Sequence, residues 1–327
     1  MLIEFKKQKN WIVFTIAATI LSFVSYHFYE QASLKNGGTG PSGSTIPGLL
    51  YGTVGFLMMV FCGLLGARRA VRVWKLGRAK VWLNAHIWLG LLAFPLIVCH
   101  SAFHMGHKLT LWLMLLFIVV ELTGILGVIL QQYIPKIMLQ AVKNESTYEQ
   151  IPEVIGKLKI DAAIITSCCA GKVTGNLTAT QQDDVERKKA EKLKKDADFK
   201  DKYTPIIGTS PEDFKAAQPL MTFFNEQVEP FLDPVFQKDA KLAELRKATA
   251  VFNHIKTLLP QKLHVALEEL QSLCDERRQL QVQVRLHRIL HFWEYFHIPL
   301  SYLLLALSAF HVFIATFDYS GATKFFK

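Results

Sequence analysis

Only five cysteines occur in the 327 residues: Cys62, Cys99, Cys168, Cys169 and Cys274. None belongs to a Cys-x-x-Cys-His run, which excludes covalent c-type haem, and the adjacent Cys168 and Cys169 lack the spacing of a zinc or iron–sulfur ligand set. A glycine-rich dinucleotide fingerprint is also lacking, which argues against direct use of NAD(P)H. Acidic residues are missing between Arg68 and Lys80, where Arg68, Arg69, Arg72, Lys75, Arg78 and Lys80 crowd one short loop. Such a bias marks the cytoplasmic side of a membrane protein, so the net charge of +10 implies no nucleic-acid partner. No small-residue cleavage pattern follows the first apolar run, whose exit is Tyr29, Glu30 and Gln31. The basic start, with Lys6, Lys7 and Lys9, is therefore expected to precede a retained signal-anchor helix.

What is abundant is apolar sequence, 51% of the chain, gathered into blocks. Five blocks approach the ~20 residues of a bilayer crossing: Trp11 to Tyr29, Leu49 to Ala67, Val81 to His104, Leu109 to Tyr133 and Phe292 to Phe317. The expected fold is an all-α membrane protein, a five-helix transmembrane bundle carrying a mainly helical cytoplasmic insertion. Its expected divisions are 1–133 for the first four helices, 134–291 for the insertion, and 292–327 for the fifth helix and an outer tail. The basic amino terminus and the basic loop both lie inside under the positive-inside rule. The Gly-, Ser- and Pro-rich stretch Gln31 to Gly48 is then an outer loop, and the third and fifth helices run parallel, both outward.

Those two parallel helices carry a repeated signal. His86 and His100 are fourteen residues apart, and so are His297 and His311. Fourteen residues make about 3.9 helical turns, so each pair leaves its helix on nearly one face, about 20 Å apart along the axis. In a supercoiled bundle the match approaches four whole turns. Parallel helices put His86 level with His297 on the inner side and His100 level with His311 on the outer side. A single membrane histidine can merely bond a neighbouring helix, yet four in a repeated spacing point to two bis-histidine haem irons, for which neutral imidazole is a suitable axial ligand. The expected cofactors are thus two non-covalent b-type haems.

Other residues qualify this pattern. Pro95 lies between His86 and His100 and is a candidate kink, while Gly90 leaves room for a macrocycle. Gly55, Gly63 and Gly66 suit close helix packing. His104, one turn beyond His100 on a similar face, could replace it as a ligand, yet neither it nor His291 reproduces the paired spacing, and both are expected to meet propionates, lipid headgroups or water instead. Arg78, Lys80, Arg285 and Arg288 are candidates for pairing with the inner haem's propionates, although setting membrane orientation is sufficient by itself to account for them and is the more secure role. Glu121, midway along the fourth block, either relays a proton beside a quinone site, with Gln131, Gln132 and Tyr133 nearer the inner surface, or stays neutral and bonds another helix.

The insertion is long enough for its own core. Asp183 to Lys202 reads as a solvated helix or arm, Pro205 to Pro211 as a loop, and Ser210 as a helix cap. Leu263, Leu267, Leu270, Leu273, Leu280 and Val284 form an apolar stripe. No breaker separates it from the fifth block, so one long helix is expected to join the insertion to His297.

The segments "HIWLGLLAFPLIVCHSAFH" and "HIPLSYLLLALSAFHVFIATFDY" resemble the haem-bearing helices of bacterial di-haem cytochrome b proteins. Ligands on the third and fifth helices are similar to those of ferric reductase-like transmembrane proteins. The resemblance covers residues 68 to 135 and 284 to 319, and implies His86, His100, His297 and His311 as axial ligands. It further implies a subunit of a respiratory oxidoreductase in the bacterial cytoplasmic membrane, exchanging electrons with quinone. Ferric reductases commonly continue into a flavin and nicotinamide domain, which is not seen here. Fe–S or multihaem c-type subunits are therefore the expected redox partners, with membrane lipid as surroundings. Two alternatives stay open: transmembrane reduction of ferric ion or another outer acceptor, and a non-enzymatic membrane anchor or assembly scaffold.

Overall fold

The computed structural model describes residues 5–35, 40–70, 77–141, 147–173, 175, 177–204, 210–233 and 241–319. Among them there is no strand, and the chain divides into two compact units, one of residues 1–136 and 288–327 and the other of residues 137–287. Five helices are long and apolar enough to cross a membrane.

The first unit is built from α1 (Phe5–Lys35), α2 (Ile46–Ala70), α3 (Ala79–His100), α4 (Leu109–Ala141) and the carboxy-terminal part of the longest helix, α12 (His264–Tyr319). Large apolar side chains cover its outside, with Leu21 66%, Trp112 68% and Leu122 61% exposed. A helix that is apolar on its outward face needs an apolar solvent, which is the pattern of a bundle in lipid. Inside, Ala93, Met114, Phe117 and Leu304 form a small core. Polar ties fix the helices laterally. Gln8 of α1 donates to Asn84 and accepts from Trp88, both on α3. Tyr29 of α1 donates to Thr45 just before α2, and Tyr302 of α12 reaches the Gly63 carbonyl of α2. In hydrocarbon such bonds satisfy groups that have no water to turn to.

Helix α3 runs through Pro95 without interruption but stops at His100, four residues short of His104, where the apolar block ends. Ala102 and Phe103 take φ of 51° and 62°, in the left-handed region that breaks a helix. His104 therefore does not continue the face of His100, contrary to the expectation from its one-turn spacing. It is exposed, and its Nδ1 lies 2.7 Å from the Ala102 carbonyl. Arg72 and Lys75 lie outside the described residues, as do Pro205, Gly208 and Thr209.

The second unit has a water-soluble type of core. α5 (Ile151–Ala170), α9 (Gln218–Phe223), α11 (Leu245–Leu258) and the amino-terminal part of α12 bury Ile164, Leu220, Phe224, Phe231 and Phe252 together with Leu263, Leu267, Leu270 and Leu280 of the expected apolar stripe. The charged stretch docks against this core: α6 (Ala179–Lys195) buries Val185, and its Lys189 and Lys192 bond the Ser167 carbonyl and Asp161 of α5. Ser210 caps the helix that starts at Pro211 in a reciprocal box with Asp213. Within the core Lys159 is clasped by Glu229 at 3.4 Å and Asp233 at 3.1 Å. Helical structure is continuous in α12 from the stripe to the last membrane-type segment, as the lack of a breaker implies.

Candidate functional site

All four spaced histidines lie in the first unit, and they meet in two pairs. The rings of His86 and His297 are 6.5 Å apart, centre to centre, with planes at 82°. The rings of His100 and His311 are 6.4 Å apart, with planes at 68°. Each pair thus joins one residue of α3 to one of α12 at the same level. A metal–nitrogen bond of about 2 Å on each side, plus roughly 1 Å from nitrogen to ring centre, puts two imidazoles on opposite sides of one ion roughly 6 Å apart. Both separations match that span.

The rings are also oriented. His86 Nδ1 lies 3.2 Å from the Cys62 carbonyl of α2, and His100 Nδ1 lies 2.9 Å from the Gly48 carbonyl of the same helix. A carbonyl only accepts, so in both rings Nδ1 carries the proton and Nε2 keeps its lone pair. His297 Nδ1 lies 2.9 Å from the Thr123 hydroxyl, which donates its own proton to the Val120 carbonyl. Thr123 therefore accepts from His297, and the same tautomer results. Trp293, one helical turn before His297, stacks on it at 5.4 Å and 18°, and donates through Nε1 to the Thr123 carbonyl at 2.7 Å. Outer partners of this kind orient metal-binding imidazoles and raise their basicity.

A cavity of about 930 Å³ opens beside the inner pair. His86, His297, Gly90, Glu121 and Trp293 line it, and most of the remaining wall is aliphatic or aromatic. A side chain added at Gly90 meets nothing nearer than the Cys62 sulfur at 4.0 Å, so the wall is open there. Gly127 is different, since any side chain there would run into the Trp293 ring. The outer pair is held by glycine approach: a Cβ on Gly52 would stand 2.6 Å from His100 Nδ1. Among the described residues no three His, Cys, Asp or Glu side chains converge, so each pair offers two protein ligands.

The surrounding charges fall elsewhere than the sequence suggests. Arg78, Lys80, Arg285 and Arg288 are exposed, and neither Arg78 nor Arg288 lines the cavity. Arg68 does. His291 is exposed and lies 3.8 Å from Glu294. Gln131 shares the cavity with Glu121, whereas Tyr133 is 58% exposed. Gly63 and Gly66 admit Leu305 and Tyr302 of α12, and Gly55 admits Ile97 of α3. Sequence reasoning missed Thr123 and Trp293. Trp293 had a signal, because four residues before His297 is the same helix face.

Fold and site together define a helical protein of membrane type with two imidazole pairs, one of them facing an apolar cavity. No family model, curated protein or solved structure matches the chain.

Proposed function

We propose that this chain is a di-haem b-type cytochrome that carries electrons across the bacterial cytoplasmic membrane as a subunit of a respiratory oxidoreductase. One observation carries the reading: two imidazole pairs, each at a separation that would let both rings hold one metal ion between them. The tautomers held by Cys62, Gly48 and Thr123 support it, since they leave Nε2 available to iron. So does the chemistry of the donor set, in which two protein ligands per site suit a metal whose other positions are filled by a macrocycle. The inner cavity, at about 930 Å³ and largely apolar, lies in the range of cofactor pockets.

Haem, when bound, would supply a one-electron iron couple suited to electron transfer. The chain's own residues would do the rest. His86 and His297 would hold the inner haem, and His100 and His311 the outer one, about 20 Å further along the helices. Trp293 and Thr123 keep the His297 ring from rotating. Apolar walls exclude water and lower the local dielectric. Glu121 stands on the wall of the inner cavity, where a carboxyl group can exchange a proton with a quinol. The basic residues between Arg68 and Lys80 set the amino terminus inside and the carboxy terminus outside. The remaining electron transfers fall to quinone and to Fe–S or multihaem c-type partners.

The deciding experiment is the reduced-minus-oxidised optical spectrum of the purified chain, with haem counted per polypeptide. Two b-type haems are expected, falling to one when His100 or His311 is replaced by alanine. A folded chain free of haem after expression with ample haem rejects the reading and favours the scaffold alternative. Glu121→Gln is expected to slow quinol-dependent haem reduction, and an unchanged rate would remove the proton role.

A further inference from the structure

The cavity of the inner histidine pair has one described lining residue with a fixed positive charge, Arg68 near the end of α2. The guanidinium is held in place from two sides. Nη2 donates to the Gly77 carbonyl, and the group lies 5.4 Å over the Trp82 ring. Trp82 is itself stacked on Phe61 at 5.0 Å and 16°. The Nε–H edge, by contrast, is buried and has no hydrogen-bond partner among the described residues. A buried donor left unpaired is costly, and in native proteins such a group usually meets a ligand or water that completes it.

The acidic groups on the same wall are Glu121 and Glu294, and Glu294 lies beside His291. An anionic group entering the cavity is repelled by those carboxylates and attracted to the Arg68 end. Guanidinium is the side chain whose planar fork best matches a carboxylate. We propose that Arg68 is the residue by which the cavity recognises the carboxylate of its ligand, selecting an apolar ring that bears acid groups over the same ring without them. Resting on the haem reading, the carboxylate is a propionate of the inner haem. Arg68 rather than Arg78 or Arg288 holds it.

The test compares haem b with its dimethyl ester, in which both propionates are masked, titrated into full-length apoprotein in detergent. The outer site is removed by His311→Ala, so that Soret absorbance reports the inner one. With Arg68 present, haem b is expected to bind about ten- to hundredfold more tightly than the ester, the span of a charge-assisted hydrogen bond. Arg68→Gln is expected to bind both forms at the ester's affinity, and Arg68→Lys to recover part of the preference. If Arg68→Gln keeps the preference, or weakens both forms equally, carboxylate recognition by Arg68 is overturned while the haem reading stands. If neither form binds when Arg68 is present, the haem reading itself fails.

Discussion

The inner and outer histidine pairs have the same spacing and nearly the same ring separation, yet their supports are built differently. On α3 the two supports are alike, since His86 and His100 each bond a backbone carbonyl of α2, those of Cys62 and Gly48. The difference lies beyond them: His297 of the inner pair is held by side chains, bonded by Thr123 and covered by Trp293 beside a cavity of about 930 Å³, whereas in the outer pair His100 is pressed against the Gly52 backbone. The contrast teaches that a repeated spacing decides which imidazoles meet, while separate residues decide how each one is held.

The largest expected effect comes from His297→Ala, which removes a buried imidazole, the ring on which Trp293 stacks. Haem per chain should fall from two to one, with the outer signal retained, and loss of both haems would break the independence of the two sites. Gly52→Val attacks the outer site alone. A branched side chain at a point 2.6 Å from His100 Nδ1 has to displace the imidazole. The outer haem should be lost while the inner spectrum is unchanged, and equal loss at both sites would erase the contrast.

Lys159→Met serves as a control away from both pairs. It removes the ammonium shared by Glu229 and Asp233 in the core of the second unit, which costs about 3–5 kcal/mol when such a pair is broken. Thermal unfolding of the full chain should shift downward, with two haems still present per folded polypeptide. A smaller effect is expected from Thr123→Val, which preserves shape but removes the acceptor for His297. Haem affinity at the inner site should weaken about ten- to hundredfold, as for other outer-sphere partners of metal-bound imidazole. Equal weakening at the outer site would show that Thr123 acts on the whole bundle. The smallest is an expected lack of reaction: burial pushes the Cys169 thiol up to about 12, so it stays protonated and resists alkylation at pH 8 in the native chain.

Legibility differed with the range of the interaction. The four histidines and their partners could be read because helical periodicity and parallel topology are local rules applied twice. The apolar stripe from Leu263 to Leu280 was legible for the same reason, and it is buried. Only the face assigned to His104 was misread, because helix termination at Ala102 and Phe103 depends on left-handed backbone conformations that neither residue type advertises. Arg68 was hidden among neighbours of the same charge, since membrane orientation explains all of them equally and only packing separates the one that faces the cavity. Thr123 and Gly52 act across helices, so no spacing within their own segments reveals them.

The inner cavity also bears on how the chain is made and kept. An apolar hollow of about 930 Å³ forfeits the packing that would otherwise hold four helices together. A ligand that binds only the folded form stabilises it in proportion to the logarithm of its concentration over its dissociation constant. Under the proposed di-haem reading, cofactor supply would act as a checkpoint in biogenesis: chains filled soon after insertion would persist, and chains left hollow would open more often and be removed by proteolysis. The abundance of the protein in a cell would thereby be tied to the pathway that makes what fills it.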